Sequence, residues 1–521
     1  MEQPSHAAPG LHCDVLVVGG GINGCGIARD LAGRGWKVVL AERDDLAAHT
    51  SSASTKLIHG GLRYLEHGEF ALVRKSLQER ERLLASAPHI LRPLAFVLPH
   101  DAAMRPAWML RAGLFLYDHL ARRDWLPGSQ AIDLRRHPAG AALQPHLQRG
   151  FVYSDGWADD ARLVLLCALD AHERGATVLT RTACTRAVRD ATGWTATLRG
   201  TDGRERSVRA RALVNAAGPW AESFLREQAV PARGEALATR RLRLVQGSHI
   251  VVPRRAEHAY LFQSPDGRIV FAIPYEGAFT LIGTTDVEVH GDPAAARIGA
   301  DETAYLCERV NRCLARPVAP ADVIWSYAGV RPLLDDADGN PSAVTRDYRL
   351  EAPDDGAAPL LTVWGGKLTT FRLLAEEAAN LLGRRLGARR PAWTACAPLP
   401  GGDLAAWCGG AALAPSQVFV RFLAAVRRRW PWLPAPLAER LAQAYGSRIE
   451  RVLGAAATLE GLGEQVAPGL HEAELDHLCR DEWACDGDDV LWRRSKLGLH
   501  LGLAERERVA AWMAARADAL C

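Results

Sequence analysis

The 521-residue sequence contains no run of ~18 apolar residues, the length a helix needs to cross a bilayer, so no spanning helix is expected and membrane contact would have to be peripheral. Its start, MEQPSHAAPG, lacks a basic stretch followed by an apolar one. No signal peptide is expected there, and residues 1–10 read as a disordered leader. The 11 cysteines include no C-x-x-C pair and no metal-ligand or disulfide-framework spacing, which points to a reducing cytosol and away from structural zinc. Net charge is also slight: 63 Lys and Arg stand against 60 Asp and Glu, a balance of +3 that gives no argument for nucleic acid. Repeats and low-complexity tracts are missing. Tyrosine is scarce beside tryptophan, 9 against 15. Arg421, Arg427, Arg428 and Arg429 lie beside Trp430 and Trp432, a grouping that suits either core packing or an interfacial surface.

What is present begins at Leu11. Residues 11–42 read as strand, glycine turn, helix, strand and acid. Gly19, Gly21 and Gly24 have the G-x-G-x-x-G spacing directly after the apolar run Val15–Val18. Gly19 permits the tight turn, and Gly21 lets backbone approach a pyrophosphate at a helix N-terminus. Gly24 permits close helix–strand packing. Glu42 closes the second strand and can accept hydrogen bonds from a ribose diol. The unit predicts a dinucleotide site without choosing between NAD and FAD.

Three later stretches supply small residues where a cofactor needs close backbone approach. The hydroxyl-rich run Thr50–Ser54, including Ser51, Ser52 and Ser54, follows the ribose-binding acid. Ala217 and Gly218 end the apolar strand of VNAAGPW. Gly365 and Gly366 precede Lys367, Leu368 and Thr369 at a predicted helix start. His59-Gly60-Gly61, with Arg63 and Tyr64 close behind, sets a histidine on flexible backbone next to the cofactor loop. Asp159 and Asp160 read as acids capping a helix N-terminus. Trp108–Tyr117, flanked by Arg105, Arg111, Arg122 and Arg123, suits equally a buried helix with snorkelling arginines and an amphipathic helix on anionic lipid. Strands at 242–253, 269–274 and 279–284 predict a second, mostly antiparallel domain. Helical patterns at 418–428, 437–444, 471–479 and 490–501 predict an all-α C-terminal domain.

Taken in order, GGGINGCGIARDLAGRG, SSASTKLIHGGLRYLE, YSDGWADDARLV, VNAAGPW, LIGTTD, AGVRPL, WGGKLTTFR and DEWACDGDDVLWRRSKLGLHL resemble the FAD-dependent, respiratory glycerol-3-phosphate dehydrogenases from Asp14 to about Leu501. The resemblance implies FAD rather than NAD. It also implies an α/β + α architecture with three parts. These are a discontinuous FAD-binding domain (11–88, 150–229, 321–395), a glycine-oxidase-like substrate and membrane-facing domain (89–149, 230–320) and a helical C-terminal cap (403–521). The implied activity is oxidation of glycerol 3-phosphate to dihydroxyacetone phosphate. Electrons would pass to membrane quinone from a peripheral position on the cytoplasmic face, where anionic lipid is a partner; a homodimer is left open. An oxygen-using oxidase of the same substrate is the nearest alternative. An amino-acid oxidase and a non-catalytic dinucleotide-binding regulator are more distant ones. No EF-hand loop is seen, so calcium control is not expected. With that substrate, Arg63 and Arg331 are expected to clamp phosphate, with Arg346 as a further candidate. His59 is expected to act as general base. Tyr64 and Thr285 would orient substrate, and Lys367 would serve substrate or flavin.

Overall fold

The computed structural model describes residues 10–101, 106–231, 237–264, 267–335, 347–409 and 413–516. Arg105 and Arg346 lie outside them. The first sheet is built on strand β1 (Leu11–Val18), which runs parallel between β2 (Val38–Ala41) and the strand Glu205–Asn215. Leu360–Trp364 extends the parallel set beyond Glu205–Asn215, and Thr177–Leu179 extends it beyond β2. Helix α1 (Ile22–Gly33) connects β1 to β2 and shares one core with Phe371–Arg385. Val15 and Val17 point into that helical layer, while Leu16 and Val18 point into a second core with Trp194, Leu213 and Trp364. Burial on both faces explains why β1 is an unbroken apolar run rather than an alternating one.

The second sheet has ten strands. Leu242–Pro253, Phe279–Gly283, Ile269–Tyr275, Ala259–Gln263, Leu91–His100 and Arg149–Ala158 lie in that spatial order. Among the described residues its pairings are antiparallel except Ala259–Gln263 with Leu91–His100. Two long strands that the sequence placed in the FAD-binding part belong here, as does the two-residue strand Leu57–Ile58. Arg149–Ala158 pairs with Leu91–His100, and Trp325–Leu334 pairs with Leu242–Pro253. Both are ten-residue strands leading back toward the dinucleotide fold, and an apolar run does not announce its partner.

Three further helices flank the sheets: α4 (Asp160–Glu173) packs in the core of α1, α2 (Phe70–Ser86) contributes to that core and to the second sheet's, and α3 (Ala107–His119) sets Leu114 and Tyr117 against the second sheet. The C-terminal helices Pro415–Arg429, Ala435–Tyr445, Glu472–Glu482 and Leu503–Ala514 close around Phe422, Leu441, Leu478 and Val509. Trp430 is buried in this core, with the Arg429 guanidinium 4.9 Å from its ring centre, while Arg421, Arg427, Arg428 and Arg429 are exposed. The helix expected at 490–501 is instead two short turns, Asp489–Arg494 and Leu497–Leu499. The break lets Arg494 reach Asp45 and Lys496 reach Asp159 in the dinucleotide-binding part. Among the described residues nine cysteines are free thiols.

Candidate active site

A cavity of about 1520 Å³ lies along the junction of the two sheets. It exceeds the ~300–1,000 Å³ usual for a small-molecule pocket and has room for a dinucleotide and a substrate together. Gly19, Gly21 and Glu42 line it. His59, Arg63, Tyr64, His249, Arg331 and Lys367 line it as well. Ser51, Ser54, Gly61, Ala217, Gly218 and Gly366 lie on its walls, as do Leu368 and Thr369.

The walls around Gly19 and Glu42 meet the needs of a dinucleotide. Gly19 has φ +112°, and a Cβ there would lie 2.4 Å from the Ala216 carbonyl oxygen. Gly24 would place its Cβ 1.8 Å from the Gly19 carbonyl oxygen, so it serves close packing rather than the cavity surface. Gly21 caps α1 without a side chain, leaving the approach to the helix N-terminus open. Glu42 is buried, its Oε2 accepting from the Gly20 amide and its Oε1 from the Asp44 amide at 2.9 Å. Burial raises its pKa, and the two amides act against that rise. Beside it the Arg43 guanidinium lies 3.9 Å from the centre of the Trp220 ring, and the Trp220 indole donates to Asp292 at 3.2 Å.

The hydroxyl run is partly structural. Ser51 Oγ accepts from the Ile22 amide at 3.0 Å, fastening the loop to the start of α1. Ser52 donates to the His49 carbonyl and is not a cavity wall. Ser54 reaches the cavity, but its hydroxyl donates to Asp160 at 2.8 Å. Asp160 also receives the buried Lys56 ammonium at 2.8 Å. Asp159 caps α4 through the Arg162 amide, as expected; Asp160 accepts from the Ala161 amide at 2.9 Å in the same first turn and also ties the cofactor loop to α4.

His59 and Thr369 meet directly, the His59 amide donating to Thr369 Oγ1 at 3.2 Å. Burial lowers the His59 pKa, Asp155 opposes that, and Lys367 and Arg80 add to it. A neutral imidazole follows, as a base requires. The Lys367 ammonium stands 3.9 Å from the centre of the Tyr64 ring. Gly366, at φ +116°, passes so close to Asn23 that a Cβ would lie 2.6 Å from its amide nitrogen. Gly60 faces away from the cavity, packed against Leu77 and Tyr117.

Arg331 donates to Asp286 and, at 2.9 Å, to Thr284 Oγ1. Arg63 makes no hydrogen bond or ion pair among the described residues and faces the cavity. Thr285 does not fill the orienting role expected of it. Its buried hydroxyl donates to Glu302 at 2.5 Å and accepts from the Ser248 amide at 2.9 Å, and it lines no part of the cavity. Thr284, its neighbour, faces the cavity instead. His249 went unnoticed in the sequence because it lies alone in an ordinary strand. Its Nε2 pairs with Thr55 Oγ1 at 2.9 Å, its ring stacks on Tyr327, and burial holds its pKa well below the usual histidine range.

Residues 14–372 match the family described as FAD dependent oxidoreductase, and residues 392–518 match the C-terminal domain of alpha-glycerophosphate oxidase. A glycerol-3-phosphate dehydrogenase of Pseudomonas aeruginosa is 51% identical over 96% of this chain and 94% of its own. The chain belongs to the FAD-dependent glycerol-3-phosphate dehydrogenase family. FAD is therefore the cofactor of this fold. Within the same range of similarity lies a D-erythritol 1-phosphate dehydrogenase of Brucella abortus, 48% identical over 96% of this chain and 97% of its own. Among solved structures, a glycerol-3-phosphate dehydrogenase of Bacillus halodurans complexed with FAD superposes with a TM-score of 0.77 at 28% identity. That likeness covers 97% of this chain and 91% of the other.

Proposed function

We propose that this chain oxidises sn-glycerol 3-phosphate to dihydroxyacetone phosphate and passes the electrons to a membrane quinone. The observation that carries this reading is that His59, Arg63, Tyr64, Arg331 and Lys367 line the same cavity as Gly19 and Glu42. Bound FAD supplies the hydride acceptor. The protein must then hold a phosphate dianion and remove a hydroxyl proton while water is kept away. Arg63 and Arg331 offer planar forks that match phosphate oxygens. His59 takes the hydroxyl proton on its neutral imidazole. Tyr64 and Lys367, stacked on one another, fix one side of the substrate space. The FAD-binding, substrate and cap divisions of the chain follow the same plan, with the site at the seam of the two sheets.

Helix α3 supports the quinone and lipid part of the reading. Trp108 is 70% and Phe115 58% exposed, and Met109 and Leu116 project beside them. Met109, Leu110 and Leu116 also line the cavity, so one helix borders both the outer surface and the reaction space. Among the described residues no helix is long and apolar enough to cross a membrane, which leaves surface insertion of α3 as the route to lipid. The basic flank contributes less than its arginines promise. Arg123 pairs with Asp118 and Arg122 with Asp124, each at 2.7 Å. Apolar insertion is thus the main attraction and anionic lipid the lesser one. The membrane so engaged is the quinone-bearing one, at its cytoplasmic face.

The test is anaerobic addition of glycerol 3-phosphate to the flavin-loaded protein. Rapid bleaching by this substrate, with slower bleaching by D-erythritol 1-phosphate and none by glycine, is expected. The reverse preference would replace the substrate and keep the fold. Re-oxidation by a quinone analogue without peroxide is expected; stoichiometric peroxide in air with no quinone reduction would make the protein an oxidase.

A further inference from the structure

Behind the His59 turn lies a buried polar cluster that touches the cavity only at its edge. The Gly60 amide donates to Tyr117 Oη at 2.9 Å and to Asp155 Oδ1 at 3.2 Å. Tyr117 Oη donates in turn to Asp155 Oδ1 at 2.6 Å. Arg80 Nη1 closes the cluster, donating to the same carboxylate oxygen and to the Ser154 carbonyl, both at 2.8 Å. Arg80 is 1%, Tyr117 2% and Asp155 2% exposed. Such a cluster is costly unless every member is satisfied. Its members come from α2, α3 and the strand Arg149–Ala158, and they converge on one backbone amide.

That amide is next to the His59 amide, which Thr369 holds from the opposite side. Two consecutive backbone positions are therefore fixed by different parts of the molecule. Gly60 has no space for a side chain: a Cβ would lie 2.4 Å from Leu77 Cδ2 and 2.6 Å from Tyr117 Oη. The turn is clamped rather than loose, and its direction depends on where α3 sets the Tyr117 hydroxyl.

We propose that Tyr117 and Asp155 are positioning residues for the oxidation: together they fix the Gly60 amide and so aim the His59 imidazole at the substrate space. The inference rests on the reading of His59 as the base. It gives α3 a second task. The helix that carries exposed Trp108 and Phe115 on one face carries this anchor on the other. The charged groups facing His59 are Asp155 from the strand, Arg80 from α2 and Lys367 from the Gly365–Lys367 turn. Tyr117 shares the Asp155 charge by donating to it. Removing that donor concentrates the charge, which favours the imidazolium; removing the charge itself does the opposite.

The experiment is stopped-flow anaerobic reduction of the flavin-loaded protein by glycerol 3-phosphate, over the pH range in which imidazole titrates. Tyr117→Phe is expected to slow limiting reduction about tenfold, with substrate affinity within about twofold of the parent. Its pH midpoint should move up, and that of Asp155→Asn should move down. Tyr260→Phe is the control, since it also removes a buried hydroxyl, bonded to the Ala139 carbonyl at 2.6 Å, away from the turn. It should leave rate and midpoint unchanged. Tyr117→Phe removes a single oxygen and keeps the packing, so it decides the matter even if Asp155→Asn does not fold. A parental rate and midpoint in Tyr117→Phe, with full flavin content, overturns the positioning role. His59→Gln separates the two ideas: if it reduces normally, the base reading falls and this proposal with it. If it is slow while Tyr117→Phe is normal, the positioning role alone falls.

Discussion

Arg494 of the C-terminal domain donates to the carboxylate of Asp45 at 2.8 Å, three residues beyond the buried Glu42. Both partners are buried, and Arg494 also donates to the Glu482 carbonyl at 2.7 Å. The cap thus grips the loop that follows Glu42. Nearby, Arg162 and Glu482 form a second buried pair between α4 and the cap, with Nη2 to Oε1 at 3.0 Å.

Arg494→Ala leaves the buried Asp45 carboxylate with Arg493 as its remaining cation. The loss is therefore smaller than for a fully uncompensated buried charge, about 1–3 kcal/mol. A fall of that size in unfolding free energy, read from urea titration, is expected, together with weaker FAD retention on gel filtration. A variant with parental stability and flavin content would show the junction to be held elsewhere.

His59→Asn or His59→Gln should lower the rate constant for flavin reduction by ~10²–10⁴-fold, the usual contribution of a positioned base. Single-turnover mixing isolates that step from re-oxidation. Reduction near the parental rate would remove His59 from the role.

Arg331 meets Asp286 in the structure, so phosphate must compete with that carboxylate. Arg331→Lys replaces a fork with a point charge and is expected to raise the KM for glycerol 3-phosphate about tenfold, with a smaller change in kcat. Asp286→Asn should act the other way and lower KM. If neither substitution moves KM, the phosphate lies elsewhere.

Thr284 and Thr285 should separate cleanly. Thr285→Val strips the partner from the Ser248 amide and from Glu302, and should cost about 1–3 kcal/mol of stability with KM unchanged. Thr284→Val removes the hydroxyl beside Arg331 and should raise KM with little loss of stability. Exchanged results would restore Thr285 as the substrate contact.

His89 provides a test of acid stability. Its ring is buried, and burial, with Arg162 and Arg448 adding, lowers its pKa to about 3. The unfolded chain binds this proton near the ordinary ~6.5, so below that pH the unfolded state carries more protons than the folded one. Stability from this group is complete above ~6.5 and is lost as pH falls toward about 3, by a few kcal/mol in all. His89→Gln should flatten that limb in urea titrations at stepped pH. An unchanged slope would assign the acid limb to other groups.

Much of the dinucleotide half was legible because its chemistry is local. Gly19, Gly21 and Glu42 line the cavity and Gly24 packs against Gly19, at fixed spacing along one strand–helix–strand unit, so reading them needs no knowledge of the fold. The H-G-G-x-R-Y and W-G-G-K-x-T-T stretches were legible for the same reason: each carries its own backbone turn. The substrate residues were less so. Thr284 and Thr285 lie in the link between Phe279–Gly283 and Val287–Glu288, where no strand alternation orients them, so choosing between them requires the tertiary structure. His249 was invisible as a lone histidine in a strand of twelve residues.

What the sequence by itself determined is the cofactor fold, its glycine turn and acid, and the set of basic and imidazole side chains available for chemistry. Short-range geometry settles these, because three or four residues of backbone dictate where each group stands. The tertiary structure alone decided that Tyr117 and Asp155, 38 residues apart, meet on the Gly60 amide. It alone decided that the cap reaches Asp45 across 449 residues. Contacts at such separations depend on how helices and sheets pack, and packing is a property of the whole chain rather than of any stretch of it.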